Sequence, residues 1–186
     1  SSIRIHGGGV ALVKTDGSLW TWGRGDTFLG TYKPTKNSQE DVVYATPGDD
    51  TMASITKDGK LWTWGNTDHG KLGRPSSGAT FLGRSSEPTM EDVQSVAADA
   101  HVLVLKKDDT VWSYAYNYCG QLGNGEYNVW KDNPTLEKVA YLEDVIEVSA
   151  DWQLSAAIKK DGTLCVWGRG YYLGLSDENS RIPYPE

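Results

Sequence analysis

Long apolar runs are missing from this chain. No stretch approaches the 18 or so residues a membrane-spanning helix requires, and no window of ten or more residues carries a helical hydrophobic period. Helix-rich architectures and helical membrane insertion are therefore not expected. Cysteine is scarce, with Cys119 and Cys165 far apart and in neither a CxxC nor a zinc-ligand spacing. Both read as free thiols, and sequence alone leaves their pairing open. Basic clusters are absent too. No Lys/Arg run exceeds two residues, and 18 basic against 25 acidic residues give a net charge of −7. Such a surface repels phosphate backbones, so nucleic acid is an unlikely partner. The three histidines, His6, His69 and His101, form no HxH or HExxH pattern, and GxSxG, P-loop and DxDxDG signatures are missing. No cofactor, no metal and no catalytic group is expected. The chain also lacks an initiator Met, and Ser1-Ser2-Ile3-Arg4-Ile5 has no signal-type apolar core. The compartment is therefore unread.

What the chain does have is tryptophan (8), tyrosine (10) and glycine (21), and these recur in order. Thr51–Gly73 shows the pattern most fully. A short strand runs to Asp58-Gly59, Leu61-Trp62-Thr63-Trp64-Gly65 returns, and a loop ends at Gly70-Lys71-Leu72-Gly73. Equivalent pieces surround Asp16-Gly17, Asp108-Asp109 and Asp161-Gly162, so the turn aspartates at 16, 58, 108 and 161 are 42, 50 and 53 residues apart. Asp-Gly between apolar runs predicts tight hairpins with type I′ turns, both central residues at positive φ. Asp109 stands where the others have Gly, and Asp is among the residues that tolerate that conformation. A period of 40–50 residues built of short strands predicts an all-β chain of four propeller blades, approximately 1–41, 42–92, 93–144 and 145–186. The linkers 31–41, 74–92 and 124–144 carry Pro34, Pro75, Pro88 and Pro134. Each can add one edge strand, where proline is tolerated.

The ordered run "strand, DG, (L/V)WxWG, loop, GxLG" resembles the regulator of chromosome condensation repeat, a β-propeller family. Gly120-Gln121-Leu122-Gly123 is an especially close match, and the pattern covers nearly the whole chain. Departures are Tyr114-Ala115 for Trp-Gly and Cys165 for the first Trp of copy four. The resemblance implies closed rings, usually of seven blades. Four copies fall short of that. The missing Met and the ending Ile182-Pro183-Tyr184-Pro185-Glu186 favour part of a larger ring of about seven blades. A four-bladed ring and self-association that completes one ring are the alternatives.

In a meander, alternate turns share a face. The first turn of each copy (Gly7–Gly9, Gly48–Asp50, Asp99–His101, Asp151–Gln153) should therefore lie beside the glycine loops that follow the Trp-Gly pairs. That face is expected to carry Asp49, Asp50, Asp68, His69, His101, Tyr116, Tyr118, Trp152, Tyr171 and Tyr172, which differ from copy to copy while the scaffold repeats. Variable aromatic and charged side chains on rigid loops suit the recognition of another protein. The paired Trp residues recur with the fold and read as packing. The expectation is a non-enzymatic interaction module: a scaffold, or, as the resemblance implies, an exchange-factor-like or inhibitor-like protein. A lectin-like or small-ligand propeller that stacks sugars on exposed aromatics is the alternative. Arg24-Gly25-Asp26 is accounted for mainly by the repeat, since Arg169-Gly170 holds the matching place.

Overall fold

The computed structural model describes residues 1–23, 31–75, 78–127, 132–174 and 181–186. The chain folds as four antiparallel four-stranded sheets, each a meander in sequence order. The first comprises β1 (Ser2–His6), β2 (Gly9–Val13), β3 (Leu19–Gly23) and β4 (Thr35–Lys36). The second comprises β5 (Val42–Pro47), β6 (Thr51–Thr56), β7 (Leu61–Asn66) and β8 (Phe81–Leu82). The third comprises β9 (Val93–Ala98), β10 (His101–Lys106), β11 (Val111–Ala115) and β12 (Glu137–Lys138). The fourth comprises β13 (Val145–Asp151), β14 (Leu154–Lys159), β15 (Leu164–Arg169) and β16 (Arg181–Ile182). The first strands β1, β5, β9 and β13 neighbour one another around a common axis. The two-residue strands form the outer edges, the expected linker strands among them. The glycine loop of the first copy, Gly23–Gly30, with Arg24-Gly25-Asp26, lies beyond Gly23 outside the described residues.

Each sheet presents two unlike faces, fixed by cross-strand register. In the second, Ala45, Ser54 and Trp62 stand opposite one another, as do Pro47, Met52 and Trp64. This tryptophan face packs on Ala11, Val13 and Leu19 of the first sheet. The other face, with Ile55, Leu61 and Ala53, packs on Val96, Val102, Val104 and Tyr114 of the third. The third sheet's Leu103, Leu105 and Val111 then meet Ala157 and Trp167 of the fourth. Trp62, Trp64, Trp112 and Trp167 are therefore packing residues, and Tyr114 fills the matching position of the third sheet fully buried.

The hairpin turns differ from the expected type I′. The Lys14 carbonyl accepts from Gly17 N at 3.0 Å, and Lys14 N donates to the Ser18 carbonyl at 3.0 Å. Gly17 has φ +79°, while Asp16 is not in the left-handed region. This is a three-residue loop, a type I turn followed by one left-handed residue. Gly59 (φ +83°), Asp109 (φ +64°) and Gly162 (φ +87°) repeat it. The aspartate's role is a hydrogen bond rather than an unusual φ. Asp16 Oδ1 accepts from Ser18 N at 2.9 Å, Asp108 from Thr110 N at 3.2 Å and Asp161 from Thr163 N at 2.9 Å. Hydroxyl bonds from Ser18, Thr56 and Thr110, the backbone bond from Thr163, and then the backbone bonds at Ser18 and Thr110 hold all four carboxyls below their usual range. The left-handed residue also joins blades. Gly17 O accepts from Val42 N (2.9 Å), Gly59 O from Val93 N (2.8 Å) and Asp109 O from Val145 N (3.3 Å).

A Cβ at Gly17 would lie 3.2 Å from Asp41 Cα, whereas one at Gly162 meets nothing within 4 Å. Both positions have positive φ, which costs a non-glycine residue about 1–2 kcal/mol. Gly17→Ala is therefore expected to lose more stability in urea unfolding than Gly162→Ala, which should lose only the conformational share. Equal losses would show that the blade junction contributes nothing at this position.

Candidate partner-binding face

Among the described residues, first turns and glycine loops of the later copies lie together. Lys71 Nζ, from a glycine loop, sits 2.8 Å from Asp49 Oδ2 in the turn before β6. Gln121 Nε2 donates to Trp152 O at 3.1 Å. At the axial end, Asp99 joins all four copies. Its Oδ1 lies 3.1 Å from His6 Nε2, its Oδ2 accepts from Trp152 N at 2.9 Å, and its carbonyl accepts from Asp49 N at 3.3 Å. Burial is the main influence on its carboxyl and raises its pKa, against the lowering effect of His6. In the sequence Asp99 is simply one residue of the Asp99–His101 turn. Its partners are 50 or more residues away along the chain, and nothing local marks it.

Farther from the axis, side chains from three blades form a continuous ladder. His69 (φ +57°) meets Tyr116 edge-on, with ring centroids 5.2 Å apart. Tyr116 stacks on Tyr118 at 6.2 Å and 13°. The Arg181 guanidinium then lies 5.5 Å from the Tyr118 ring and 4.7 Å from that of Tyr127, while its Nε donates to Tyr118 O at 3.2 Å. Each cation–ring contact of this kind contributes about 0.5–1 kcal/mol at an exposed site. Arg181 and Tyr127 were not among the expected residues. Both fall in linker segments outside the repeating pattern, where comparing copies gives no signal. Asp132 Oδ1 stands 4.0 Å from His69 Nδ1, and with Asp68, Thr67 and Thr80 lines a cleft of about 300 Å³ beside the ladder. Asp50 is half-buried at φ +55°, its carbonyl accepting from Asn66 N at 2.9 Å. The larger clefts, of about 510 and 620 Å³, border the Asp-Gly turns instead.

Two further expected features stand apart from the ladder. Tyr171 and Tyr172 meet edge-on at 5.7 Å, with Arg169 5.5 Å from the Tyr172 ring. Trp152 is 57% exposed although its backbone is held at both N and O. Among the described residues no group of three His, Cys, Asp or Glu converges as a metal site, and no helix is long and apolar enough to cross a membrane. Cys119 is buried, Cys165 half-buried, and both are free thiols.

No family model matches the chain. Individual proteins do. Human E3 ubiquitin-protein ligase HERC2 is 30% identical over 97% of this chain, which spans 4% of that protein. The Ultraviolet-B receptor UVR8 of Arabidopsis thaliana is 32% identical over 93% of this chain and 42% of its own length. In fold, the crystal structures of yeast RCC1 (Prp20) bound to Kap60 and of human WBSCR16 match with TM-scores of 0.83 and 0.84. Each is 22% identical, and the chain covers 47% and 54% of them. The chain belongs to the regulator of chromosome condensation repeat family. It spans less than half the length of the curated relatives named here and about half of the solved propellers.

Within this repeat, one expected contact residue is corrected. His101 is not presented to a partner. It opens β10 rather than closing a turn, and its side chain is fully buried. His101 Nε2 lies 2.7 Å from Ser155 Oγ, which itself donates to Gln121 O at 2.7 Å. Nε2–H is therefore the donor to Ser155, and Nδ1 has no partner among the described residues. Burial pushes the imidazole pKa down to about 3, against a smaller upward pull from Asp151. Unfolding exposes a histidine that protonates near 6.5. Its neutral burial thus stabilises fully above pH 6.5, and that contribution is lost as pH falls toward 3, at up to about 1.4 kcal/mol per pH unit. His101→Gln, compared with wild type in urea titrations at pH 6.5 and 4.5, should flatten this slope whatever its own cost at neutral pH. An unchanged slope would place the titration elsewhere.

Proposed function

We propose that this propeller segment is a non-enzymatic protein-interaction module whose loop face binds another protein. The observation that carries the reading is the His69–Tyr116–Tyr118–Arg181–Tyr127 ladder. It presents rings and a cation from three blades as one surface on loops held by a rigid scaffold. Tyr, Trp and Arg are the side chains that most often dominate binding energy at protein interfaces. Trp152 adds an anchor whose backbone is already fixed, so little ordering cost remains on binding. Asp49, Asp68, Tyr171 and Tyr172 extend the same surface. The fold relatives lend support: the Prp20 structures are of a protein bound to Kap60 and one characterised for binding to Gsp1p and histones. The ligase named in the HERC2 match is a far larger protein, so that activity does not transfer to this segment.

The test is a cross-linking pull-down with wild type and with Tyr118→Ala, Arg181→Ala and Trp152→Ala, each checked for an unchanged melting temperature. Capture of a partner should fall at least tenfold in the variants. Equal capture by all would sink the assignment of this face. Strong signals on a glycan array, with no protein captured, would favour the lectin-like use of the same aromatics.

A further inference from the structure

Near the axis two carboxyls share one donor. Trp152 N lies 2.9 Å from Asp99 Oδ2 and 2.9 Å from Asp151 Oδ1, so the third and fourth sheets each bring an aspartate to the same amide. Asp99 is buried and Asp151 is exposed. The groups around the pair come from the other copies as well. His6, the last residue of β1, sets its Nε2 3.1 Å from Asp99 Oδ1. The turn before β6 brings Asp49 and Asp50. Asp49 N donates to the Asp99 carbonyl, and the Asp49 carboxylate is met by Lys71. His101 follows Asp99 on the third sheet, and Arg169 is engaged by Gln153 Oε1 in the Trp152 turn. Two neighbouring carboxylates with a single donor between them repel, and a proton shared between them removes the repulsion. Asp151 is close enough to take part in such a bond. Burial first, then that bond and the Asp151 charge, raise the Asp99 pKa, and His6 opposes them.

We infer that the Asp99–Asp151 pair is a proton-operated clamp on Trp152, closed in mild acid, so that the loop face captures its partner more strongly there than at neutral pH. The inference rests on the reading of Trp152 as a partner-binding anchor. With both carboxyls ionised the clamp is open. Asp99 is fixed by burial and by its bonds to three other copies, so the repulsion acts on exposed Asp151 and pushes its turn toward water. A proton taken from solvent closes the clamp. Asp99 Oδ2–H then donates to the Asp151 carboxylate, Asp99 Oδ1 still accepts from His6 Nε2–H, and Trp152 N–H stays with Asp151 Oδ1. The turn that carries the indole is held at its carboxyl by Asp99 and at the Trp152 carbonyl by Gln121, both from the third sheet. A surface that is competent for only part of the time binds with an affinity reduced by that fraction. Closing the clamp therefore raises capture without adding a contact to the partner.

The experiment compares wild type with Asp99→Asn and Asp151→Asn at about pH 7.5 and about pH 5. An amide at position 99 donates permanently, as the protonated carboxyl does, and either substitution removes the repulsion. Wild type should capture at least about threefold more partner at the lower pH. Both variants should capture at the acid level of wild type at both pH values. Asp151 is exposed, so its variant serves if Asp99→Asn fails to fold. A second readout needs no partner. In proton–nitrogen correlation spectra the Trp152 amide of wild type should shift in a step below pH 6.5 with its midpoint above the ordinary aspartate value of about 3.9, and that step should be missing from both variants. Partner capture absent at every pH, with the amide step as expected, would retire the loop-face reading and leave the clamp standing. The clamp is overturned by an amide step that persists in the variants, which would assign the titration to another group, or by variants that keep the wild-type pH dependence of capture. Equal capture by wild type at the two pH values overturns it as well.

Discussion

Everything in this molecule depends on sheets that are apolar on both faces. A sheet of four short strands with one wet face can stand alone against a core. One with Leu61 on one side and Trp64 on the other cannot, and needs a neighbour on each flank. The chain meets that need by repetition, and the hairpin turn makes repetition accurate. In the three-residue loop, the bonds that close the hairpin use Lys14 N, Lys14 O and Ser18 O, which leaves the carbonyl of Gly17 unengaged. Val42 N takes it, and Val93 and Val145 find the equivalents at Gly59 and Asp109. Each turn thus sets the height at which the next blade begins, and the side-chain faces meet in register.

This explains what could be read from the sequence and what could not. Alternation of small and large apolar residues, Asp-Gly and Trp-Gly are local signals, so the strands, their order and the blade repeat were legible. The turn geometry was not, because Asp-Gly serves two turn types. Only the pairing of Val13 with Leu19, which leaves a longer loop than a type I′ turn allows, decides between them. His101 was misplaced for a related reason. It follows the turn-like Asp99-Ala100 and looks like the end of a loop, but it is the first residue of a strand whose alternation turns it inward. Asp41, Asp92 and Asp144, all at φ near +57°, precede the valines at the blade junctions. They form a second repeat signal that becomes meaningful only once Val42, Val93 and Val145 are known to be inter-blade donors.

The loop face has a division of labour that no single copy reveals. Near the axis, Asp99 and Lys71 hold backbone and charge in place: Asp99 bonds to three other copies and Lys71 is mostly buried against Asp49. These groups are occupied by the scaffold, so Asp49 belongs partly to the structure despite its exposure. Farther out, rings and guanidinium groups contact one another through their faces and edges while one side stays in water. Face and edge contacts among aromatics and arginine are weak individually and tolerant of small displacements. On the proposed reading they order a surface before a ligand arrives and leave the water-facing side of each ring open to it.

Trp152 brings these two roles together at one residue. Its amide donates to Asp99, its carbonyl accepts from Gln121, and its indole is exposed. A tryptophan exposed in this way costs solubility and adds nothing to the blade, since the packing position of the fourth sheet is already filled by Trp167 at 0% exposure. The scaffold therefore does not explain it. Both of these bonds come from the neighbouring third blade, and Asp151 Oδ1 of its own loop also accepts from Trp152 N at 2.9 Å, so the indole's position depends on the arrangement of the array as well as on its own loop. A change at a blade junction that shifted the fourth sheet against the third would move this anchor first, because Gln121 and Asp99 both lie on the third. Integrity of the blade stack and geometry of the proposed recognition surface are in this way one property, although the residues that pack and the residues that face water are different.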